Sequence, residues 1–174
     1  MKFRIALAAA AAGIAAASTA SAGPVSASTT ATANIVAPAQ LNATRALEFG
    51  TIAKPTSGTT TVTVASAASG TATPTVSGGN GSIPTSGLAH ASIFHLIGTS
   101  AQSYSVTSNT LSFVGASGNL SAVGPETPVA ASGVLNTLPV SGIDDVYIGG
   151  HFDITSTTAA STYNGTLSLT VNFN

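Results

Sequence analysis

The sequence predicts an all-β protein. In its clearest stretch Leu167, Leu169, Val171 and Phe173 alternate with Ser168, Thr170 and Asn172, which puts one set on each face of a pleated strand. β-Branched residues dominate a second run, Thr59–Ala65, where they fit a pleat better than a helix. Turn formers cut the rest into short pieces at roughly 8–12-residue spacing, the rhythm of a sandwich or barrel. No segment after residue 22 shows an apolar stripe of period 3.6.

In chain order, the expected strands after these two are Thr32–Val36, Ala46–Phe49, Ser92–Ile97, Tyr104–Ser108, Leu111–Val114, Val134–Val140 and Val146–Thr155. The last contains Gly149-Gly150, which marks a bulge or sharp bend. Expected turns fall at Lys54–Gly58, Gly78–Gly81, Gly115–Gly118, Gly124-Pro125 and Asn164-Gly165, since Gly supplies positive φ and Pro presets a turn. Tyr163, just before the closing strand, is placed to cap a corner by hydrogen-bonding backbone upstream.

Residues 1–22 read as a signal peptide, expected as a helix ahead of the domain. Lys2 and Arg4 form a positive start, Ile5–Ala17 an apolar centre, and Ala20-Ser21-Ala22 a small-residue exit. The apolar run is shorter than the roughly 20 residues a membrane span needs. Cleavage after Ala22 leaves an extension over 23–30 and one β-domain over 31–174, exported to the periplasm, the cell surface or the medium and not integral to the membrane. Cleavage also removes two of the four basic residues, so Arg45 and Lys54 face Glu48, Glu126, Asp144, Asp145 and Asp153.

Composition excludes several classes. Only 5% of the chain is charged, against about 25% in ordinary domains, while 44% is hydrophobic, so charge-driven disorder is ruled out. Four Lys and Arg cannot neutralise a nucleic-acid backbone. Without Cys there is neither a disulfide framework nor a thiolate metal site. Three Tyr and six Phe cannot furnish the two aromatic girdles of an outer-membrane barrel.

The order of several short signatures resembles a known family. Ala31–Pro38 (ATANIVAP) precedes Leu47–Ile52 (LEFGTI); Tyr104–Thr107 (YSVT) lies in the middle; Ser161–Leu167 (STYNGTL) and Val171–Asn174 (VNFN) close the chain. Together they are similar to the secreted bacterial family catalogued as domain of unknown function 4402. That resemblance implies an immunoglobulin-like antiparallel β-sandwich, akin to chaperone–usher fimbrial subunits and spore-coat U-like domains. As partners it implies related subunits, a periplasmic chaperone and an outer-membrane usher.

The residues give an independent reason to expect assembly. No charged residue follows Asp153, so if the closing strand lies at a sheet margin nothing guards it against pairing with another chain. The acceptor residues are then Leu167, Leu169, Val171 and Phe173. The donor is the extension after Ala22, which offers Val25 and Ala27 at alternate positions, continued by Ala31, Ala33 and Ile35. Alternatively, Thr32–Val36 is simply the domain's own first strand. The expected function is a structural subunit of a surface filament or coat; the alternative is a monomeric secreted binding or adhesion module.

Catalytic and metal patterns are weak, and neither an enzyme nor a cofactor is expected. His151 and Asp153 share one strand face, but two ligands are too few, and His90 and His95 join them only if the fold brings them near. Asp144-Asp145 reads as an Asx turn and lacks the array of a calcium loop. There is no G-x-S-x-G elbow, and nothing in the sequence ties Glu48 to Glu126 as a hydrolytic pair. The glycosylation-like triplets at Asn42, Asn80, Asn119 and Asn164 are expected by chance in so Ser/Thr-rich a chain.

Overall fold

A computed structural model describes residues 25–33, 35, 38–67, 72–84, 89–115 and 118–174. The chain divides into two units, Met1–Asn34 and Ile35–Asn174. The expected signal-peptide helix lies outside the described residues. Residues 25–33 of the first unit are exposed and carry no regular secondary structure.

The second unit is all-β among its described residues. Its strands are β1 (Gln40–Arg45), β2 (Thr59–Val64), β3 (Thr75–Ser77), β4 (Ser92–Ile97), β5 (Tyr104–Gly115) and β6 (Gly118–Asn119). They continue as β7 (Ser121–Pro125), β8 (Val129–Ala130), β9 (Ile143–Ile148), β10 (Gly150–Thr155) and β11 (Tyr163–Phe173). Every pairing is antiparallel, in three sheets ordered β1-β4-β9-β8, β3-β2-β10-β7 and β11-β5-β6.

Alternation decides the interior. Phe94 and Leu96 on β4 and Val146 and Ile148 on β9 pack with Tyr104 and Leu138 in one cluster. Val62 and Val64 on β2 and Phe152 and Ile154 on β10 pack with Phe49 in a second. The long β5 serves both, giving Val106 to the first and Leu111 and Phe113 to the second. Edge-to-face contacts among Phe49, Phe113 and Phe152, with centroids 4.8–5.6 Å apart, concentrate a third of the chain's aromatic residues in the second cluster.

One run supplies two sheets because of Gly149. β9 pairs with β4 and β8, β10 pairs with β2 and β7, and Gly149 stands between them, buried. A Cβ there would overlap the Val64 carbonyl oxygen, so only glycine lets the backbones approach this closely. The bend expected at Gly149-Gly150 is therefore the junction at which the chain changes sheets.

Several expected elements differ. The first strand is Gln40–Arg45, which has no apolar alternation because it is an edge strand whose only half-buried positions are Leu41 and Arg45. Of Thr32–Val36, residues 32, 33 and 35 form no strand, and Asn34 and Val36 lie outside the described residues. Ala46–Phe49 contributes only a bridge, Glu48 to His90. Val134–Val140 is a loop that pairs just ahead of β5 through the Ser103–Thr137 bridge, with Leu138 buried as its anchor. Asn164-Gly165 and Gly124-Pro125 lie within strands, because cross-strand pairing with β5 and β10 overrides their local turn preference. Asp144-Asp145 likewise sits inside β9.

Candidate functional site

The sheet margins differ in how they are protected. β1 carries a bulge at Thr44 and ends in Arg45. β7 is bulged against β10, with Ala122 at φ 46°, and closes on Pro125. β3 is three residues long between Pro74 and Gly78, and β6 and β8 are two residues each. Bulges, prolines, charges and shortness are the usual means of blunting an edge.

β11 has none of them. It runs for eleven residues and pairs with β5 along its whole length, while among the described residues no strand lies on its other side. The one register shift in this pair places the extra residue, Thr107, on β5, where its hydroxyl donates to the Thr170 carbonyl. The far side of β5 is tied at several points. Tyr104 N–H donates to the Asn136 carbonyl, the Asn109 amide donates to the Glu126 carbonyl, and β6 pairs at Val114 and Gly115.

The open margin leaves its inner row incompletely covered. Leu167, Leu169, Val171 and Phe173 pack on the first cluster yet remain half-buried, whereas Leu96, Val146 and Ile148 in the same cluster are fully buried. Over most of its length this sheet is two strands wide, about 10 Å, against about 19 Å for each four-stranded sheet. The four residues singled out in the sequence therefore line one margin. Val25 and Ala27, their expected partners, are exposed, Val25 at 99%.

The histidines and carboxylates do not converge on one centre. His95 Nδ1 lies 2.6 Å from Asp145 Oδ1 across β4 and β9. His151 Nδ1 lies 2.8 Å from Glu126 Oε1, and His90 Nε2 lies 3.3 Å from Glu48 Oε2. Asp153 instead accepts a hydrogen bond from the Thr61 hydroxyl at 2.5 Å. Among the described residues no three His, Asp or Glu side chains are grouped to hold a metal ion. These pairings were not legible in the sequence, because each joins residues 25–50 positions apart.

Asp144 and the Tyr104 hydroxyl are among the buried polar groups of the domain. Asp144 accepts from the Ser132 hydroxyl at 2.6 Å, the Ser132 N–H at 3.1 Å and the Asp145 N–H at 2.9 Å, so it holds the loop before β9. The Tyr104 hydroxyl is buried and, among the described residues, has no partner in full hydrogen-bonding geometry. Burial pushes its pKa above the usual tyrosine value, the Asn136 backbone opposes this, and the Asp144 carboxylate reinforces it. Tyr163, at the start of β11, donates its hydroxyl to the Ala159 carbonyl at 2.9 Å, which braces the entry to the strand.

A family described as Domain of unknown function (DUF4402) matches residues 39–173. The chain belongs to that family. The match spans all eleven strands found among the described residues of this DUF4402 domain and begins after the exposed extension. No curated protein and no solved structure matches the chain. Among the described residues no helix is long and apolar enough to cross a membrane.

Proposed function

We propose that this protein is an exported structural subunit of a bacterial surface filament or coat, built on an immunoglobulin-like sandwich and assembled by β-strand addition. The observation that carries the reading is the margin of β11, the longest sheet edge and the one without a guard among the described residues, over a half-buried apolar row. The donor is the extension after the signal peptide, from a second copy or a related subunit. Gly23–Thr30 can span about 26 Å as a strand, most of the roughly 36 Å length of β11. Its side chains are small, so the backbone ladder supplies most of the affinity, with Val25 adding apolar burial. A margin this open needs cover before assembly, a role suited to a periplasmic chaperone, with an outer-membrane usher as the exit.

Deleting Gly23–Thr30 while keeping residues 1–22 is expected to abolish polymers seen by electron microscopy and leave a folded β-rich monomer. Filaments unchanged in this deletion reject the donor role.

A further inference from the structure

The outer face of the β5–β11 pair carries hydroxyl and amide side chains and no ionisable group. Residues 96–125 and 154–174 contain no Asp, Glu, Lys, Arg or His. The outward row of β11 is Asn164, Thr166, Ser168, Thr170 and Asn172, all exposed. Opposite them on β5 stand Thr110, Ser112 and Val114, also exposed. The other two sheets carry the ionisable pairs on their outer sides, His95 with Asp145 and His151 with Glu126. At one end of the neutral face the cross-strand pairs Asn164–Val114 and Thr166–Ser112 line a shallow, open recess of about 220 Å³ beside the Gly165 backbone.

We propose that this face binds a neutral, hydroxyl-rich polysaccharide chain, with the recess as its best-formed subsite. A charged partner would lose hydration here without meeting a counter-charge, and an apolar one would leave the hydroxyl row unpaired. A second protein copy fits poorly as well. Eleven residues by two strands give about 36 by 10 Å, or about 360 Å², well under the roughly 800 Å² per partner of a stable interface. A glycan chain is long, narrow and uncharged, and its hydroxyls both donate and accept, as do those of Ser and Thr. The recess is smaller than the roughly 300–1,000 Å³ of drug-sized sites and suits a single ring. Val114, 64% exposed, offers an apolar wall for a ring's C–H face, while Asn164, Ser112 and Thr166 offer polar groups to its rim.

The test is electrophoresis of the full chain through native gels containing hydroxyethyl cellulose, with alginate gels as the charged control. Retardation is expected in hydroxyethyl cellulose and not in alginate. T166E should weaken it at least fivefold, N164A should weaken it measurably without adding charge, and T59E, on a different sheet, should leave it unchanged. Equal mobility of the unaltered protein in both gels overturns the proposal, as does undiminished retardation of both face variants. A change of sedimentation mass in T166E, with no retardation of the unaltered chain, assigns the face to contact between copies and also overturns it.

Discussion

Replacing Gly149 with alanine tests the claim that a single missing side chain lets one run of backbone serve two sheets. The new methyl carbon would overlap the Val64 carbonyl oxygen and lie 2.6 Å from the Ala65 carbonyl carbon. The backbone cannot retreat freely, because the Gly149 N–H donates to Ser66 Oγ at 2.8 Å and its carbonyl accepts from the Glu126 N–H at 3.1 Å. Overpacking of a filled interior costs about 1–3 kcal/mol. Losing one of the two hydrogen bonds adds about 1 kcal/mol. The lower entropy of the unfolded alanine chain returns about 0.4–1 kcal/mol. The expected net loss is about 2–3 kcal/mol. With a urea slope of about 1–3 kcal/mol/M, the unfolding midpoint should fall by about 1 M or more. Gly133 is the control: its Cβ would meet open space, but its φ of 77° is left-handed, so alanine there should cost only about 1–2 kcal/mol. A G149A midpoint equal to that of the unaltered protein, or above that of G133A, would refute the steric argument.

Y104F should raise stability at neutral pH by about 1 kcal/mol, because it removes a buried hydroxyl that has no well-formed hydrogen bond among the described residues; a loss of stability on urea unfolding counts against this. The same variant tests the alkaline limb. The folded-state pKa of Tyr104 is raised, so the fold binds this proton more tightly than the unfolded chain, and stability present below about pH 10 is lost as pH climbs above it. In Y104F that part of the decline should vanish from melting curves taken across the alkaline range. L96A, in a fully buried position, should cost about 2–5 kcal/mol by chemical denaturation. L169A, on the half-buried row of β11, should cost the monomer visibly less, and equal losses would show that the row is not open. D144A should cost about 2–4 kcal/mol in the same assay, since Ser132 and the Asp145 N–H lose their buried acceptor.

The alternating runs were legible because a strand buried on one face writes its period directly into the chain. Thr59–Val64, Ser92–Ile97 and Leu167–Phe173 are strands for that reason. Where a strand buries little, the signal fades. β1 has one inward apolar residue, and β3, β6 and β8 are too short to show a period. Local turn chemistry also misleads where pairing is strong, as at Asn164-Gly165, held in β11 against Val114 and Phe113.

The sequence by itself determined the all-β class, the paucity of charge, the bend at Gly149-Gly150 and the family, since each depends on residue type and local order alone. Tertiary structure decided the rest. It set β11 at a margin, paired each histidine with a carboxylate and gathered the uncharged hydroxyls of β5 and β11 on one face. The physical reason is that pairing partners lie tens of residues apart, and a strand's period names its buried face without naming its neighbours.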